Sequence, residues 1–337
     1  MTVRIADAVD ALLEAPVAPS FTRIGYDVRS LLERWKPLAS YDLRGRVMLL
    51  TGATSGLGLA AAEALARAGA TLLLLGRDAA KTERVRADLA RRTHNDRLSA
   101  VIADMGDLAA VRRAADEVLA SHEVLHVLAH NAGALHATRR NAPDGTEETV
   151  ASQVLGPFLL TGLLMARLRA SAPARVLTMS SGGMYATGLT VDDLEMSDDY
   201  SGTEQYARAK RAQVTLNEMW AERFAASGVV FHALHPGWAL TPGVETSLPT
   251  FRRIVGPLLR TPEQGADTLV WLAADDGEPL ATNGRFWLDR RVRAIHKLPT
   301  TRRTDTAERR ATLWDWCVKR TGLDPAVSSR GTPADPR

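Results

Sequence analysis

Residues 46–58 read RVMLLTGATSGLG, and this stretch decides the fold class. It begins with an apolar run of strand length, passes through a turn with three glycines, and enters the Ala-rich segment 57–70, which has the composition of a helix. A fully apolar strand followed by an amphipathic helix then recurs along the chain. Strands without a polar face are buried on both sides, so this alternation predicts an α/β domain built on a parallel sheet.

Six further strands are predicted, and most are separated from the next by a helical stretch. They cover residues 71–76, 98–104, 124–133, 174–181, 229–237 and 284–289. Helices are predicted over residues 79–93, 203–227 and 262–274. Right-handed crossovers place such helices on both faces of a doubly wound, Rossmann-like sheet. Ligands of these sheets bind beyond the carboxyl ends of the strands.

A single main domain is predicted over residues 45–290, with a helical arm on each side. In the N-terminal arm, residues 1–44, the segment 20–35 carries apolar residues at helical spacing: Phe21, Ile24, Val28, Leu31, Leu32 and Trp35. A helix packed on the domain, a helix packed on a second subunit and a helix on a membrane surface would all show this pattern. The C-terminal arm, residues 291–337, holds a predicted helix over 305–320 and a tail with the composition of a disordered segment.

Composition excludes several classes of protein. The chain has 42 Lys and Arg against 39 Asp and Glu, and this small excess does not suggest a nucleic-acid binder. Cys317 is the single cysteine, which excludes an intrachain disulfide and a multi-thiolate metal site. His122, His126 and His130 fall across a helix end and a strand, so no metal site is expected. No apolar run approaches the ~18 residues of a transmembrane segment, and a cytoplasmic location is expected.

The glycine-rich turn between the first strand and the first helix has the features of a phosphate site. Glycines permit positive φ and let the backbone approach a ligand closely. The helix that follows offers unpaired N–H groups and the positive end of its dipole to a pyrophosphate. The turn therefore indicates a dinucleotide site, whose candidate residues are Thr51, Gly52, Thr54, Ser55, Gly56, Leu57 and Gly58.

Four more motifs follow in chain order, and together with the glycine turn they resemble the short-chain dehydrogenase/reductase family. They are Asn131-Ala132-Gly133 after the fourth strand, Ser180-Ser181 after the fifth, Tyr206 with Lys210 on the next helix, and Pro236-Gly237 after the sixth strand with Thr241 beyond. The resemblance covers about residues 45–290. The segments SSGGM (180–184) and YARAKRAQV (206–214) are most similar in sequence to the member-twelve subgroup of that family. The substrate of that subgroup is not carried over to this chain.

The resemblance implies hydride transfer between a nicotinamide cofactor and a small-molecule carbonyl or alcohol. Tyr206 would exchange a proton with the substrate oxygen, while Lys210, one helical turn away, would hold the nicotinamide ribose and lower the pKa of the phenol. The family places the second serine of the pair in the site, which favours Ser181 and leaves Ser180 as the alternative. Gln153 stands where the family usually has an asparagine that supports a water linked to the lysine. Its amide is expected either to hold that water or to slow the relay.

The end of the second strand predicts the preferred cofactor. NAD-specific enzymes usually have an acidic residue there, whereas this chain has Gly76 and Arg77, whose guanidinium can pair with a 2′-phosphate. NADP(H) is therefore expected to be preferred, with NAD(H) as a second cofactor. In the family a residue at the position of Asp104, at the end of the third strand, contacts adenine, and the predicted cofactor site includes the adjacent Met105.

Two segments are expected to select the substrate, residues 182–205 and residues 238–260. The second segment contains Trp238 and other apolar residues, and suits either a lid over an apolar substrate or a helix packed on the domain. Alternatively, Arg252 and Arg253 in this segment would receive an anionic group of the substrate.

The predicted function is an NADP(H)-dependent oxidoreductase that forms a homo-oligomer, with peripheral membrane contact left open. The alternative is a dinucleotide-binding regulatory or scaffold protein without turnover, motivated by Gln153 and the two arms.

Overall fold

An eight-stranded sheet forms the centre of the molecule, of which the computed structural model describes residues 5–16, 18–240, 253 and 255–324. The strands are β1 (Val47–Thr51), β2 (Thr71–Gly76), β3 (Leu98–Ile102), β4 (Val127–His130), β5 (Ala174–Met179), β6 (Val229–Leu234), β7 (Arg285–Leu288) and β8 (Arg291–Arg293). Their spatial order is β3-β2-β1-β4-β5-β6-β7-β8. The first seven strands are parallel, and β8 is antiparallel to β7. The predicted doubly wound α/β sheet is confirmed, and β8 extends it past residue 290, where the predicted domain ended.

Helices cover both faces of this sheet and form the two arms. The N-terminal arm contains α1 (Ile5–Glu14), α2 (Ala18–Phe21) and α3 (Arg23–Leu32). The main domain contains α4 (Gly56–Arg67), α5 (Ala79–Thr93), α6 (Leu108–Ser121), α7 (Glu148–Val150), α8 (Gly156–Ala170), α9 (Gly202–Arg223), α10 (Pro262–Ala274) and α11 (Glu278–Ala281). The C-terminal arm contains α12 (Pro299–Thr304) and α13 (Ala307–Thr321). The predicted tail lies outside the described residues from residue 325 onward.

The core lies on both faces of the sheet because the central strands are apolar along their whole length. All residues of β1 and β5 are buried. One face packs against α6, α8, α9 and α13 through large side chains such as Phe158, Trp220 and Trp314. The other face packs against α4, α5 and α10, where alanines such as Ala61 and Ala62 let the helices approach closely. This layering leaves the carboxyl ends of the strands as the place where polar residues gather.

The central core helix runs without a break over Glu148–Ala170 through α7, a π-helical segment (Ala151–Leu155) and α8. In the described part of the chain it is the helix long and apolar enough to cross a bilayer, with a mean hydropathy of 1.5 in its most apolar window. Of that window, 78% is buried inside the protein. A helix at the centre of a core satisfies the same length and composition criteria as a membrane span.

Of the placements that the sequence leaves open for segment 20–35, the structure shows the N-terminal arm packed on the domain, largely through its polar side. Arg29 is 2% exposed, and it donates to Asp10 Oδ1 at 2.7 Å and to Asp289 Oδ2 at 2.6 Å. Leu31, in contrast, is 77% exposed. Phe21 is the apolar member of the segment that is buried. This arm meets a turn that carries charged residues, so ion pairs fasten it in addition to the ring contacts of Phe21.

That turn joins β7 to β8 through two residues in the left-handed region. Asp289 and Arg290 both have a φ of 54°. Each non-glycine residue in this conformation costs about 1–2 kcal/mol. Asp289 is held by Arg29 and by Arg260, whose Nη2 donates to Asp289 Oδ2 at 2.8 Å, while Arg290 donates twice to Asp267 at 2.8 and 2.7 Å. The ion pairs thus offset the strain of the hairpin and connect the arm, the sheet and α10.

Candidate active site

The predicted motifs meet at the carboxyl edge of the sheet, where β1 and β4 diverge to opposite halves. The Thr51 hydroxyl accepts hydrogen bonds from the backbone N–H groups of Asn131 and Ala132, both at 3.0 Å. The Asn131 side chain in turn donates a hydrogen bond from Nδ2 to the Thr51 carbonyl oxygen at 3.1 Å. Thr51 is 1% exposed. Its side chain and that of Asn131 therefore fasten the two strand ends together behind the glycine turn.

The glycine turn leaves its backbone open toward the expected phosphate position. Gly52 has a φ of 67°, and a Cβ there would lie 2.7 Å from Ala132 Cα. A Cβ on Gly58 would overlap the carbonyl oxygen of Gly52. Ser55, the N-cap of α4, makes no side-chain capping bond. The first-turn N–H groups are thus not capped by this residue, an arrangement that fits the pyrophosphate of a dinucleotide.

Tyr206 and Ser181 face each other across the site. The Ser181 hydroxyl accepts from the Gly183 N–H at 3.2 Å, and Ser181 Oγ and Tyr206 Cδ1 lie 3.6 and 3.9 Å from the point that a Cβ on Gly183 would occupy. Ser180 Oγ instead donates to the carbonyl oxygen of Lys210 at 3.1 Å. Because side chains alternate along an extended segment, the two serines point in different directions. The structure places Ser181, rather than Ser180, beside the tyrosine.

Lys210 lies one turn along α9 from Tyr206. Its Nζ donates to the Met179 carbonyl at 2.9 Å and lies 5.3 Å from the centroid of the Tyr206 ring. Burial lowers the pKa of Lys210 to about 7. Burial also raises the pKa of Tyr206, and the hydrogen bond from Ser181 reverses this only in part. Burial therefore dominates the pKa of the phenol in the free protein, and the predicted lowering by the lysine stays a prediction.

Gln153 lies in the π-helical segment and points toward the lysine. Its Nε2 donates to the Ala134 carbonyl at 2.6 Å. Its Oε1 and the Nζ of Lys210 lie 2.9 and 3.5 Å from the point that a Cβ on Gly133 would occupy, so both face the same small space. The sequence identified this residue, but the π turn that aims it had no signal in the apolar pattern. Such turns occur frequently at functional sites.

The end of β2 presents an arginine without a competing carboxylate. Arg77 is exposed and forms no ion pair with any described residue. Asp78, next to it, caps α5 by accepting from the Lys81 N–H at 2.9 Å. A Cβ on Gly76 would overlap the Thr82 hydroxyl, so packing alone requires glycine here. Past β3, the exposed Asp104 accepts from the Gly106 N–H, and Met105 is buried beside it.

The N-terminal arm reaches the substrate side of the site, which the sequence did not predict. Gly237 follows Pro236 after β6 with a φ of 73°, and a Cβ there would overlap the Arg260 side chain. Trp238 N–H donates to the Phe21 carbonyl at 2.7 Å. The Phe21 ring lies 2.7 Å from the position of a Cβ on Gly182, which directly follows Ser181.

Much of the predicted substrate lid lies outside the described residues, as does Thr241; the range concerned is 241–252 together with residue 254. Of the two arginines proposed for an anion, Arg253 is described and is exposed. Nothing in the described ranges brings three or more His, Cys, Asp or Glu side chains together for a metal ion. His126 Nδ1, for example, accepts from the Val47 N–H at 3.0 Å.

Comparison with known proteins agrees with this geometry. The model of the short chain dehydrogenase family matches residues 46–250. Human dehydrogenase/reductase SDR family member 12 is 36% identical over 293 residues, which are 86% of this chain and 90% of that protein. Retinol dehydrogenase 12 from Bos taurus is 34% identical over 84% of this chain and 88% of its own length. A structure from Beutenbergia cavernae, described as an NAD(P)-dependent gluconate 5-dehydrogenase with bound NADP, is 26% identical with a TM-score of 0.61, covering 75% of this chain and 97% of that one.

Proposed function

This chain belongs to the short-chain dehydrogenase family and is an NAD(P)-dependent enzyme of that family, and from this premise we propose that it uses NADP(H) to interconvert an apolar carbonyl compound and its alcohol. The observation that carries the proposal is the position of Tyr206, Ser181 and Lys210. The three side chains converge at the sheet edge, next to a glycine turn that fits a dinucleotide. An acid/base group, a hydrogen-bond donor and a cation together are the groups that carbonyl reduction requires.

In the reductive direction, Tyr206 donates its phenolic proton to the substrate oxygen as the carbonyl carbon is reduced. NADPH supplies the hydride when it is bound. The Ser181 hydroxyl, which lies beside the tyrosine, donates to the same substrate oxygen and holds it within reach of the phenol. Lys210 binds the nicotinamide ribose and returns a proton toward Tyr206, for which a pKa of about 7 is suited. Gln153 faces the lysine and holds the water that resupplies it.

Two observations support NADP(H) over NAD(H). Arg77 is exposed and not engaged by a carboxylate, so its guanidinium is available for the 2′-phosphate. The Beutenbergia cavernae structure also contains NADP. An apolar substrate is supported by Phe21 and Trp238 beside the site, and by the name of retinol dehydrogenase 12 among the relatives. The substrate class is therefore a lipid-like aldehyde, ketone or alcohol.

The N-terminal arm supports a peripheral membrane contact. Its outward face carries Ile5, Leu12 and Leu31, which are 79%, 75% and 77% exposed. The same arm carries the exposed cations Arg23, Arg34 and Lys36, which form no ion pair with described residues. Exposed apolar side chains on a segment that also carries unpaired cations suit an anionic lipid surface. The homo-oligomer and the cytoplasmic location stay predictions.

The proposed activity is tested by NADPH oxidation with a panel of aldehydes, ketones and quinones. Tyr206→Phe should reduce kcat by at least ~100-fold, because it removes the exchangeable proton and keeps the ring. Binding of NADPH, measured by fluorescence titration, should stay within about twofold of wild type, since the phenol oxygen contributes little to cofactor affinity. A Tyr206→Phe enzyme that keeps most of its kcat would show that another group supplies the proton. Tight NADPH binding without turnover of any compound would favour the regulatory alternative.

A further inference from the structure

A stripe of polar side chains runs from the site into the core along α9. Lys210, Gln213 and Asn217 occupy positions i, i+3 and i+7 and therefore share one face of the helix. They are 2%, 4% and 4% exposed. The face of a helix that is directed into a core is ordinarily apolar. The mechanism above uses Lys210 and leaves the two amides without a function.

The stripe borders a cavity of about 30 Å³ between the sheet and the helices α8 and α9. Its polar lining comes from His130, Gln153, Gln213 and Asn217 together with Thr161 and Thr178, and apolar groups such as Phe158 complete it. Among the described residues, five buried polar atoms of these lining side chains have no hydrogen-bond partner. These are His130 Nδ1, Gln153 Oε1, Gln213 Oε1, Asn217 Oδ1 and Asn217 Nδ2.

Water is the ligand that fits this small cavity and its unpaired, neutral polar atoms. Each buried polar atom left unpaired costs about 1–3 kcal/mol, so five of them in one place require a partner. A buried water needs roughly 10–15 Å³ and two to four polar contacts, so the cavity has room for about two. Burial lowers the pKa of His130 to about 3, which keeps the imidazole neutral and able to donate or accept. An anion or a metal ion would find no charged partner among these side chains.

Gln153 separates the cavity from the catalytic space. It lines the cavity, and its Oε1 also faces the space that it shares with Lys210 Nζ beside Gly133. Gln213 Nε2 donates to the Gln153 backbone carbonyl at 2.6 Å, within the π-helical segment. Gln213 therefore contacts the residue that faces the lysine directly, whereas Asn217 shares only the cavity with it.

We propose that the cavity binds one or two ordered water molecules, and that Gln213 and Asn217 are positioning residues that hold Gln153 toward Lys210 through this water and the backbone bond. This inference rests on the proposed function for its catalytic part, since it assigns the orientation of Gln153 to the supply of protons to Lys210 and Tyr206. The binding of water itself depends only on the cavity and its unpaired atoms.

Asn217→Leu is the variant that tests the proposal, because it replaces the amide by an apolar group of similar size. We expect kcat to fall about tenfold with the KM for NADPH unchanged, as small displacements of positioned groups have effects of that order or larger. The solvent deuterium isotope effect on kcat should rise, because proton supply becomes slower than the other steps. Asn217→Ser, which leaves space for one more water, should restore kcat to within about threefold of wild type.

Thr215→Val is the matched control. Thr215 lies on the same helix, is fully buried, and also has an unpaired hydroxyl, but it does not line the cavity. Its replacement should leave kcat and the isotope effect unchanged. If Asn217→Leu folds and matches Thr215→Val in both quantities, the two amides have no positioning role.

A crystal structure of the wild-type protein at better than about 1.8 Å tests the water directly and does not depend on any substrate. Density for water bound to Asn217 and Gln213, absent in Asn217→Leu, supports the proposal. A dry cavity overturns it, even where the enzyme is active. Bound water in a protein that reduces no carbonyl would instead defeat the proposed function and the catalytic half of this inference.

Discussion

Lys210 is the residue of the site whose burial is least favourable for folding. Lys210 is 2% exposed and has no carboxylate among the contacts of its Nζ, which instead bonds the Met179 carbonyl. Burial in the folded protein therefore destabilises the charged form of Lys210 and lowers its pKa from 10.5 to about 7. Groups with displaced pKa values of this kind gather at sites of proton transfer. Activity and stability are expected to compete at this position.

Lys210→Met should abolish turnover and stabilise the fold by about 1–3 kcal/mol at pH 7, after allowance for the lost hydrogen bond. The folded pKa lies below the unfolded one, so the penalty is complete below pH 7 and disappears as the pH rises toward 10.5. The advantage of the variant should therefore shrink between pH 7 and pH 10. Urea unfolding at several pH values measures it. Equal stability of the two proteins at pH 7 would mean that Lys210 carries no burial penalty.

Arg77→Ala tests the choice of cofactor. The preference for NADPH over NADH, measured as the ratio of kcat/KM at fixed salt, should fall about tenfold, the lower end for a charge-assisted hydrogen bond. Arg84→Ala, an exposed arginine on the helix that follows, is the control and should leave the ratio unchanged. An unaltered ratio in Arg77→Ala would show that the guanidinium remains in solvent. Gly76→Asp is unsuitable as the reverse test, because its Cβ would overlap Thr82.

For single residues, the direction of a side chain could be predicted from the sequence wherever it depends on the neighbouring residues of the same helix or strand. Tyr206 and Lys210 share a helix face, and Ser180 and Ser181 diverge, because helix and strand periodicity dictate it. The contributions of Phe21 and Arg260 could not be predicted. Each reaches the site from a distant part of the chain, and no local pattern encodes such a contact.

Among the elements, the N-terminal arm depends on one buried cation. Arg29→Leu should destabilise the protein by about 3 kcal/mol, because it leaves Asp289 and Asp10 in the interior with one partner fewer. Arg67→Leu is the control, since it breaks an exposed pair with Glu63 worth about 0.5 kcal/mol or less. Urea unfolding at pH 7 compares them. A change in Arg29→Leu no larger than in the control would mean that the arm is held by other contacts.

The same cluster predicts how the arm responds to acid. Burial would raise the pKa of Asp10, but the hydrogen bonds and charges of Arg293 and Arg29 outweigh it and lower the pKa from 3.8 to about 2. A lowered pKa contributes stability above pH 4 that is lost as the pH falls toward 2. Arg29→Leu should lose less stability than wild type across this interval.

The ends of helices were predictable where the sequence contains capping residues. Asp78 caps α5, and Thr261 with Gln264 forms a capping box on α10, and both helices begin and end where the sequence predicts. The three-residue β8 was not predicted, because it is too short for a periodic pattern. The buried side of α3 could not be predicted either, since its apolar stripe fits several placements, while an ion pair with a residue 260 positions away decides which side is buried.

For the molecule as a whole, the outward apolar face of the arm predicts vesicle binding. Wild-type protein should cosediment with phosphatidylglycerol–phosphatidylcholine vesicles and less with phosphatidylcholine alone, since each cation near an anionic surface adds about 1 kcal/mol. Leu12→Glu with Leu31→Glu should weaken binding at least ~10-fold. Val124→Glu, at an exposed apolar residue away from the arm, is the control. If the double variant instead changes the oligomeric state and vesicle binding is absent, the face joins two copies of the chain.

The buried pairing of Arg29 with Asp289 also orders events during protein synthesis. The arm leaves the ribosome before the domain, and the partner residue of Arg29 is made 260 positions later. At 5–20 residues per second the interval is roughly 13–52 s. Throughout it the nascent arm exposes charged groups and leucines together, with nothing to hold them in register. The arm is therefore translated before the domain but fastened only after the β7–β8 hairpin has been made.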